Sequence, residues 1–148
     1  MPIQIVGNEI ASLDFAAAGI TTEASITATS SATGNTCIST GAFGLLNGGN
    51  YYVEVFTPYL TKGTTNLDVE LFDGATAAAG TFLSTLTGHM TASSVLGQGV
   101  FLGAYVNLAA GAHTMTVTAF VDAGTGKFGA GTGATGQPPP ARIRVISA

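Results

Sequence analysis

The sequence predicts an all-β domain: a two-sheet jelly-roll sandwich of about eight or nine antiparallel strands. Three observations carry the prediction. First, residues 113–122 alternate, with Met115, Val117, Ala119 and Val121 on one side and Thr114, Thr116 and Thr118 on the other. That is the two-residue period of a strand with one face in a core, and β-branched Thr and Val suit a pleated surface. Second, short segments of this kind recur along the chain, each ended by Gly, Pro, Asn or Asp. Third, no stretch of helical length shows a 3.6-residue period. A jelly roll is favoured over an immunoglobulin topology because the Cys…Trp…Cys core is missing: the chain has no Trp and one Cys. No internal repeat is visible, which argues against a propeller or solenoid.

In chain order, residues 2–6 read as an edge strand or an arm. Residues 11–19 are Ala-rich and read as a helical turn, stopped by Gly19 and the threonines after it. Residues 22–30 alternate loosely, with Ala24, Ile26 and Ala28 opposite Glu23, Ser25, Thr27 and Thr29. A turn at 32–35 leads to a strand over 36–43. Asn47-Gly-Gly-Asn50 is a turn signal. The strand over 51–57 has Tyr51, Val53 and Val55 on one face and Tyr52, Glu54 and Phe56 on the other, and Pro58 ends it. After a loop at 62–66, the strand 67–73 points Leu67, Val69 and Leu71 inward, and Asp73-Gly74 turns. The next strand covers 81–87, with Leu83 opposed to Phe82 and Leu86. Residues 100–108 are apolar on both faces, which predicts a central strand or one at a subunit interface. Residues 109–112 turn into the strand of the opening argument. Residues 142–146 (Arg-Ile-Arg-Val-Ile) alternate again, so residues 141–147 form the final strand.

Charge is sparse. Asp, Glu, Lys and Arg make up 8% of the 148 residues, against about 25% in ordinary soluble domains. No such residue occurs from Gly74 to Val121. So neutral a surface is poorly protected against association. Either Thr, Ser, Asn and Gln solvate it, or partners cover it, and the second reading is favoured. Four basic residues and a net charge of −4 argue against nucleic acid and against an anionic membrane surface. The N-terminus has no basic n-region, and Glu9 and Asp14 interrupt its apolar residues, so no signal peptide is expected. The uncharged run 95–112 carries Gly97, Gln98, Gly99, Gly103 and Asn107 and reads as strands rather than a membrane helix. Lone Cys37 has no intrachain partner. It reads as a small buried apolar residue, with no cation or His nearby in sequence to activate it.

Motifs for chemistry are scarce. Gly124-Thr-Gly-Lys-Phe-Gly129 matches G-x-G-x-x-G, and Gly131, Gly133 and Gly136 repeat it. No helix follows, no acidic ribose partner follows, and Lys127 precedes Phe128 rather than Ser or Thr, so neither phosphate-binding loop fits. The run reads as a flexible glycine hairpin loop. His89 and His113 are too few for zinc and read as surface or strand-end residues. Asp68 and Glu70 share a strand face, with Glu54 on a neighbour. They suit calcium or acid–base work less well than a solvated face paired with Arg142 and Arg144, because calcium loops are denser in Asp and Asn. There is no G-x-S-x-G and no Ser, His, Asp set. The expectation is no enzyme, no catalytic residue, no metal site and no cofactor. Tyr51, Tyr52, Tyr59 and Tyr105 are candidate stacking platforms for a sugar, with core packing preferred for Tyr105.

Leu108-Ala-Ala-Gly-Ala-His-Thr-Met-Thr-Val117 and Pro140-Ala-Arg-Ile-Arg-Val145, with Leu71-Phe-Asp-Gly-Ala75 in mid-chain, resemble the strands that end many bacteriophage virion proteins. These are small jelly rolls of the TNF and complement-like trimer type. The resemblance covers the C-terminal third and, more loosely, the middle. It implies a capsid decoration (cement) protein, bound as a homotrimer to the outer capsid surface, with the major capsid protein as partner. The virion exterior would be its location, after assembly in the host cytoplasm. It implies trimer contacts through an apolar sheet face, for which Phe101, Tyr105 and Phe120 are the candidates. One domain is expected over 1–148, with residues 1–20 as an N-terminal arm contacting the capsid through Ile3, Ile5, Ile10, Leu13 and Phe15. The alternative is a tail or head fibre domain that binds a receptor glycan.

Overall fold

The computed structural model describes residues 5–6, 9–10, 14–93 and 99–148, with side chains from residue 16 onward. Eight principal strands make two sheets: β1 (Asp14–Ile20), β2 (Asn35–Ser39), β3 (Gly49–Thr57), β4 (Leu67–Asp73), β5 (Thr81–Met90), β6 (Val100–Leu108), β7 (Met115–Phe120) and β8 (Ala141–Ser147). The front sheet has the order β6-β3-β8-β1 and the back sheet β5-β4-β7-β2.

This order has a simple origin. β1 pairs with β8, β2 with β7, β3 with β6 and β4 with β5, all antiparallel. The first half of the chain is thus zipped onto the second as one long ribbon. Rolling that ribbon brings β3 against β8 and β4 against β7, which is the jelly-roll wrap. Short strands carry the ribbon round its corners. Ala24–Ile26 pairs with Gly126–Phe128, which also pairs with Leu60–Thr61, and Phe43–Leu45 pairs with Gly111–His113. The fold class read from the sequence is the fold observed.

The core lies between the sheets. Val53 and Val55 of β3 and Ile143 and Val145 of β8 face Val69 and Leu71 of β4 and Met115 and Val117 of β7, all fully buried. The alternation that defines each strand therefore defines the core.

Local expectations change at several points, and the strand read over 36–43 is two, Asn35–Ser39 and Phe43–Leu45, in different sheets. The Ala-rich segment is the strand β1, not a helical turn. It is too short to hold a helix alone, whereas as a strand it pairs with β8 from Ala16↔Val145 to Ile20↔Ala141 and turns Ala16, Ala18 and Ile20 toward the core. In β5, Leu83 and Leu86 both pack on the core, because register shifts at 82/84 and 85/87 reset which residues point inward. β6 is an edge strand with one buried face, not a central one. The glycine run is ordered: Gly131 and Gly133 donate to the Pro139 and Pro138 carbonyls, and a Cβ on Gly131 would stand 2.3 Å from the Pro138 oxygen.

The outer face of the back sheet is roofed over its middle strands, β4 and β7, while Phe82 on edge strand β5 stays half-exposed. Thr116 and Thr118 are fully buried there, beside Glu70 and Phe72, under the turn Ser31–Thr33 and the segment 74–80. Ser31 donates to Glu70 at 2.6 Å. The Thr118 hydroxyl has no hydrogen-bond partner, and a buried orphan hydroxyl costs about 1–3 kcal/mol. Thr118→Val keeps the shape and removes that cost. It is expected to raise stability by about 1 kcal/mol, read as a higher urea midpoint at unchanged slope; a lower midpoint would refute it.

Candidate functional site: the open face of the front sheet

The two outer faces differ, and the difference locates the site. Where the back sheet buries the outward residues of its middle strands and leaves Phe82 half-exposed at its edge, the front sheet leaves its outward residues open. Phe101 is 72% exposed and Tyr105 78% exposed, both on β6. Large aromatic rings held in water this way mark an interaction surface.

Strand register arranges this face in rows. One row reads Phe101, Phe56, Arg142, Gly19; the next reads Gly103, Glu54, Arg144, Ala17; the third holds Tyr105, Tyr52 and Ile146. The rings pair across β6 and β3. Phe56 and Phe101 have centroids 4.9 Å apart at 48°, and Tyr52 and Tyr105 are 4.9 Å apart at 47°. Cross-strand aromatic pairs stabilise such a sheet face directly. Between the pairs lies a polar row in which Arg144 meets Glu54 at 3.5 Å. Gly103 is required here, because a Cβ would stand 2.0 Å from the Tyr52 hydroxyl that leans across it. At the Phe end, Glu54, Phe56, Phe101, Pro139, Pro140, Arg142 and Arg144 line a cleft of about 330 Å³, within the range of small-ligand sites.

Of the residues singled out from the sequence, Phe101 and Tyr105 come together on this face. Phe120 does not. It lies opposite Asp68 on the outward side of the back sheet, so one flat interface on the front face cannot hold all three. Ile3 and Leu13 lie outside the described residues. Ile5 and Ile10 are register partners in the short pair Ile5–Val6 and Glu9–Ile10, and Phe15 falls within β1; the side chains of all five lie outside the described residues. Of the four tyrosines, Tyr52 and Tyr105 are on the open face. Tyr51 is buried and donates to the Asn47 carbonyl at 3.2 Å. Tyr59 donates to Glu23, and that bond, with burial, pushes its hydroxyl up to about 12. Glu23 also holds Lys127 at 2.8 Å. The sequence reading missed Phe56 and the prolines of the cleft. The alternation of 51–57 did place Phe56 beside Tyr52, but nothing local shows which sheet face stays open.

The acidic residues do not form one cluster. Glu54 is on the front sheet, while Asp68 and Glu70 face outward on the back sheet. Among the described residues no group of three or more His, Cys, Asp or Glu is placed to hold a metal. Asp68 accepts from the Asn66 side chain at 3.1 Å and the His89 amide at 2.5 Å. Asp122 accepts from the Thr65 hydroxyl and from the Thr65 and Asn66 amides, which hold its carboxyl well below the usual carboxylate range. These bonds tie loops together. Cys37 is buried, which pushes its thiol up and leaves it inert.

His113 is held between two acceptors. Its Nδ1 lies 2.6 Å from Asp73 and its Nε2 3.0 Å from the Ala109 carbonyl. A carboxylate and a carbonyl only accept, so both are satisfied only by the doubly protonated ring. Burial alone would lower its pKa, but the bonds to Asp73 and Ala109 outweigh it and raise the pKa above 6.5. A raised folded-state pKa stabilises the fold fully below the unfolded value near 6.5. That contribution fades as pH rises through the folded value. Thermal scans of wild type and His113→Gln are expected to diverge most at pH 5.5 and to converge by pH 9; a pH-independent gap would refute the assignment.

No protein-family model and no curated protein sequence matches this chain. Among solved structures, the carbohydrate-binding module CBM6cm-2 of Cellvibrio mixtus lichenase 5A, solved with cellotriose, is similar at 16% identity and a TM-score of 0.44, over 73% of this chain and 66% of that one. The C-terminal domain of EclA, described as a sugar-binding protein, is similar at 13% identity and a TM-score of 0.43, over 99% and 88%. The structure of the infectious bursal disease virus Gx strain is similar at 10% identity and a TM-score of 0.40, over 99% of this chain and 40% of that one. The jelly-roll assignment rests on the strand order described above, not on likenesses of this degree.

Proposed function

We propose that this chain is a structural protein of a bacteriophage virion: a decoration subunit that self-associates through the aromatic edge of its front sheet and binds the outer capsid surface. The observation that carries the reading is the pair of open rings, Phe101 and Tyr105, on edge strand β6. Aromatic residues and Arg beside a free sheet edge have the composition of an interface core. The association is read as a homotrimer, the partner as the major capsid protein, and the residues ahead of β1 as the arm that reaches it, because residues 14–20, expected in the arm, are a strand of the front sheet. The mechanism is linkage: a subunit that buries area across capsid boundaries binds only the assembled shell, and so stabilises it. The sparse charge suits a chain largely covered by partners. No reaction is assigned to it. Protein quantification of purified virions tests the reading. A copy number equal to the capsid subunits, or a fixed fraction of them, is expected; a handful of copies per particle would sink it.

A second reading, a sugar-binding domain of a tail or head fibre, is favoured by one feature, the cleft at the Phe56 and Phe101 end of the same face.

A further inference from the structure

We infer that this cleft is a binding site for a sugar that carries a carboxylate, with Arg142 as the anion-recognising group and Phe101 as the stacking surface. The inference deepens the sugar-binding reading and rests on it. Two of the chain's four Lys and Arg residues line this one cleft, in a chain of net charge −4. Their roles differ. Arg144 is engaged by Glu54 at 3.5 Å. Arg142 is exposed and makes no ion pair or side-chain hydrogen bond among the described residues. Its planar fork matches a carboxylate in two parallel bonds.

Charge alone would admit any anion, but the walls narrow the choice. Phe56 lies beside Arg142 in strand register, Phe101 lies beside Phe56, and Pro139 and Pro140 form the remaining apolar wall. A sugar ring offers apolar C–H faces to stack on Phe101 and hydroxyl edges to leave in water, and an acidic sugar adds the carboxylate. A neutral sugar leaves Arg142 without its partner. A bare inorganic anion leaves the rings without theirs. Glu54 sets the strength: its carboxylate sits in the same cleft and repels an anionic ligand.

The full chain is titrated by NMR with 3′-sialyllactose, a galacturonate trisaccharide, lactose and inorganic phosphate. Both acidic sugars are expected to bind, with lactose and phosphate weaker by about tenfold or more, the worth of a charge-assisted bidentate pair. Arg142→Gln is expected to lose that margin with an unchanged melting temperature, because the side chain is exposed. Glu54→Gln is expected to tighten acidic-sugar binding, whereas a purely structural role for the Glu54–Arg144 pair predicts weakening. Lactose binding as well as the acidic sugars would overturn acid recognition and leave the sugar-binding reading standing. Binding of no sugar would overturn both. Phosphate matching the acidic sugars would reduce the cleft to a simple anion site, and an Arg142→Gln variant that binds normally would remove the site from this cleft.

Discussion

Tyr105→Asp is expected to convert the protein from an associated to a monomeric species in light scattering at micromolar concentration. Tyr105 is 78% exposed, and it points away from the core residues Ala104 and Val106 that flank it in β6. Its replacement forfeits the ring pair with Tyr52, worth about 0.5–1.5 kcal/mol, but touches no core residue and leaves the sandwich folded. Association responds differently. A central interface aromatic carries about 2 kcal/mol or more, which is roughly 30-fold in the dissociation constant. A carboxylate placed there must also be desolvated, which adds to the loss. Phe101→Asp is expected to act in the same direction, and Thr132→Asp, exposed on the 129–140 loop, to change nothing. Wild type that runs as a monomer at 100 µM, a concentration on the order of 100 times that of a ~1 µM complex, would end the self-association reading.

Phe128→Ala is expected to be the most destabilising single truncation. Among the described residues Phe128 is the largest fully buried side chain, on the short strand Gly126–Phe128. That strand stitches Ala24–Ile26 to Leu60–Thr61 at one end of the sandwich. Removing a buried Phe ring costs about 3–5 kcal/mol through lost transfer energy and the cavity left behind, a large share of a total stability of about 5–15 kcal/mol. Urea denaturation checks it. A loss below about 1 kcal/mol would mean that the corner repacks freely and does not close the core.

Most of the fold was legible because its signal is local. In 51–57 and 141–147, inward residues are buried and outward ones more open, as the alternation reads; in 67–73 and 113–122 the alternation picks the residues that face the other sheet, while the outward Glu70, Phe72, Thr116 and Thr118 are buried as well. Where the signal failed, pairing partners far away in sequence decided the outcome. Residues 14–20 are a strand because β8 lies alongside them. Phe128 lies in a glycine-rich run, Gly126-Lys127-Phe128-Gly129, on a strand too short to show a period, so the sequence there reads as a loop. Leu83 and Leu86 share the core because bulges break the two-residue rule.

The candidate site divides the same way. The sequence by itself determined an all-β sandwich, an unusually neutral surface, and which residues of each strand share a face, because chemistry and period are written residue by residue. Only the tertiary structure decided that the middle of the back sheet is roofed and the front sheet open. The reason is physical: whether an outward face meets water depends on where the connecting segments fold, and those have no period of their own. The segments 28–34 and 74–80 cover Thr118 and Phe72, and none covers Phe101 and Tyr105 to the same extent. That choice separated Phe120 from the other two aromatics and gathered Phe56, Phe101 and Arg142 into one cleft.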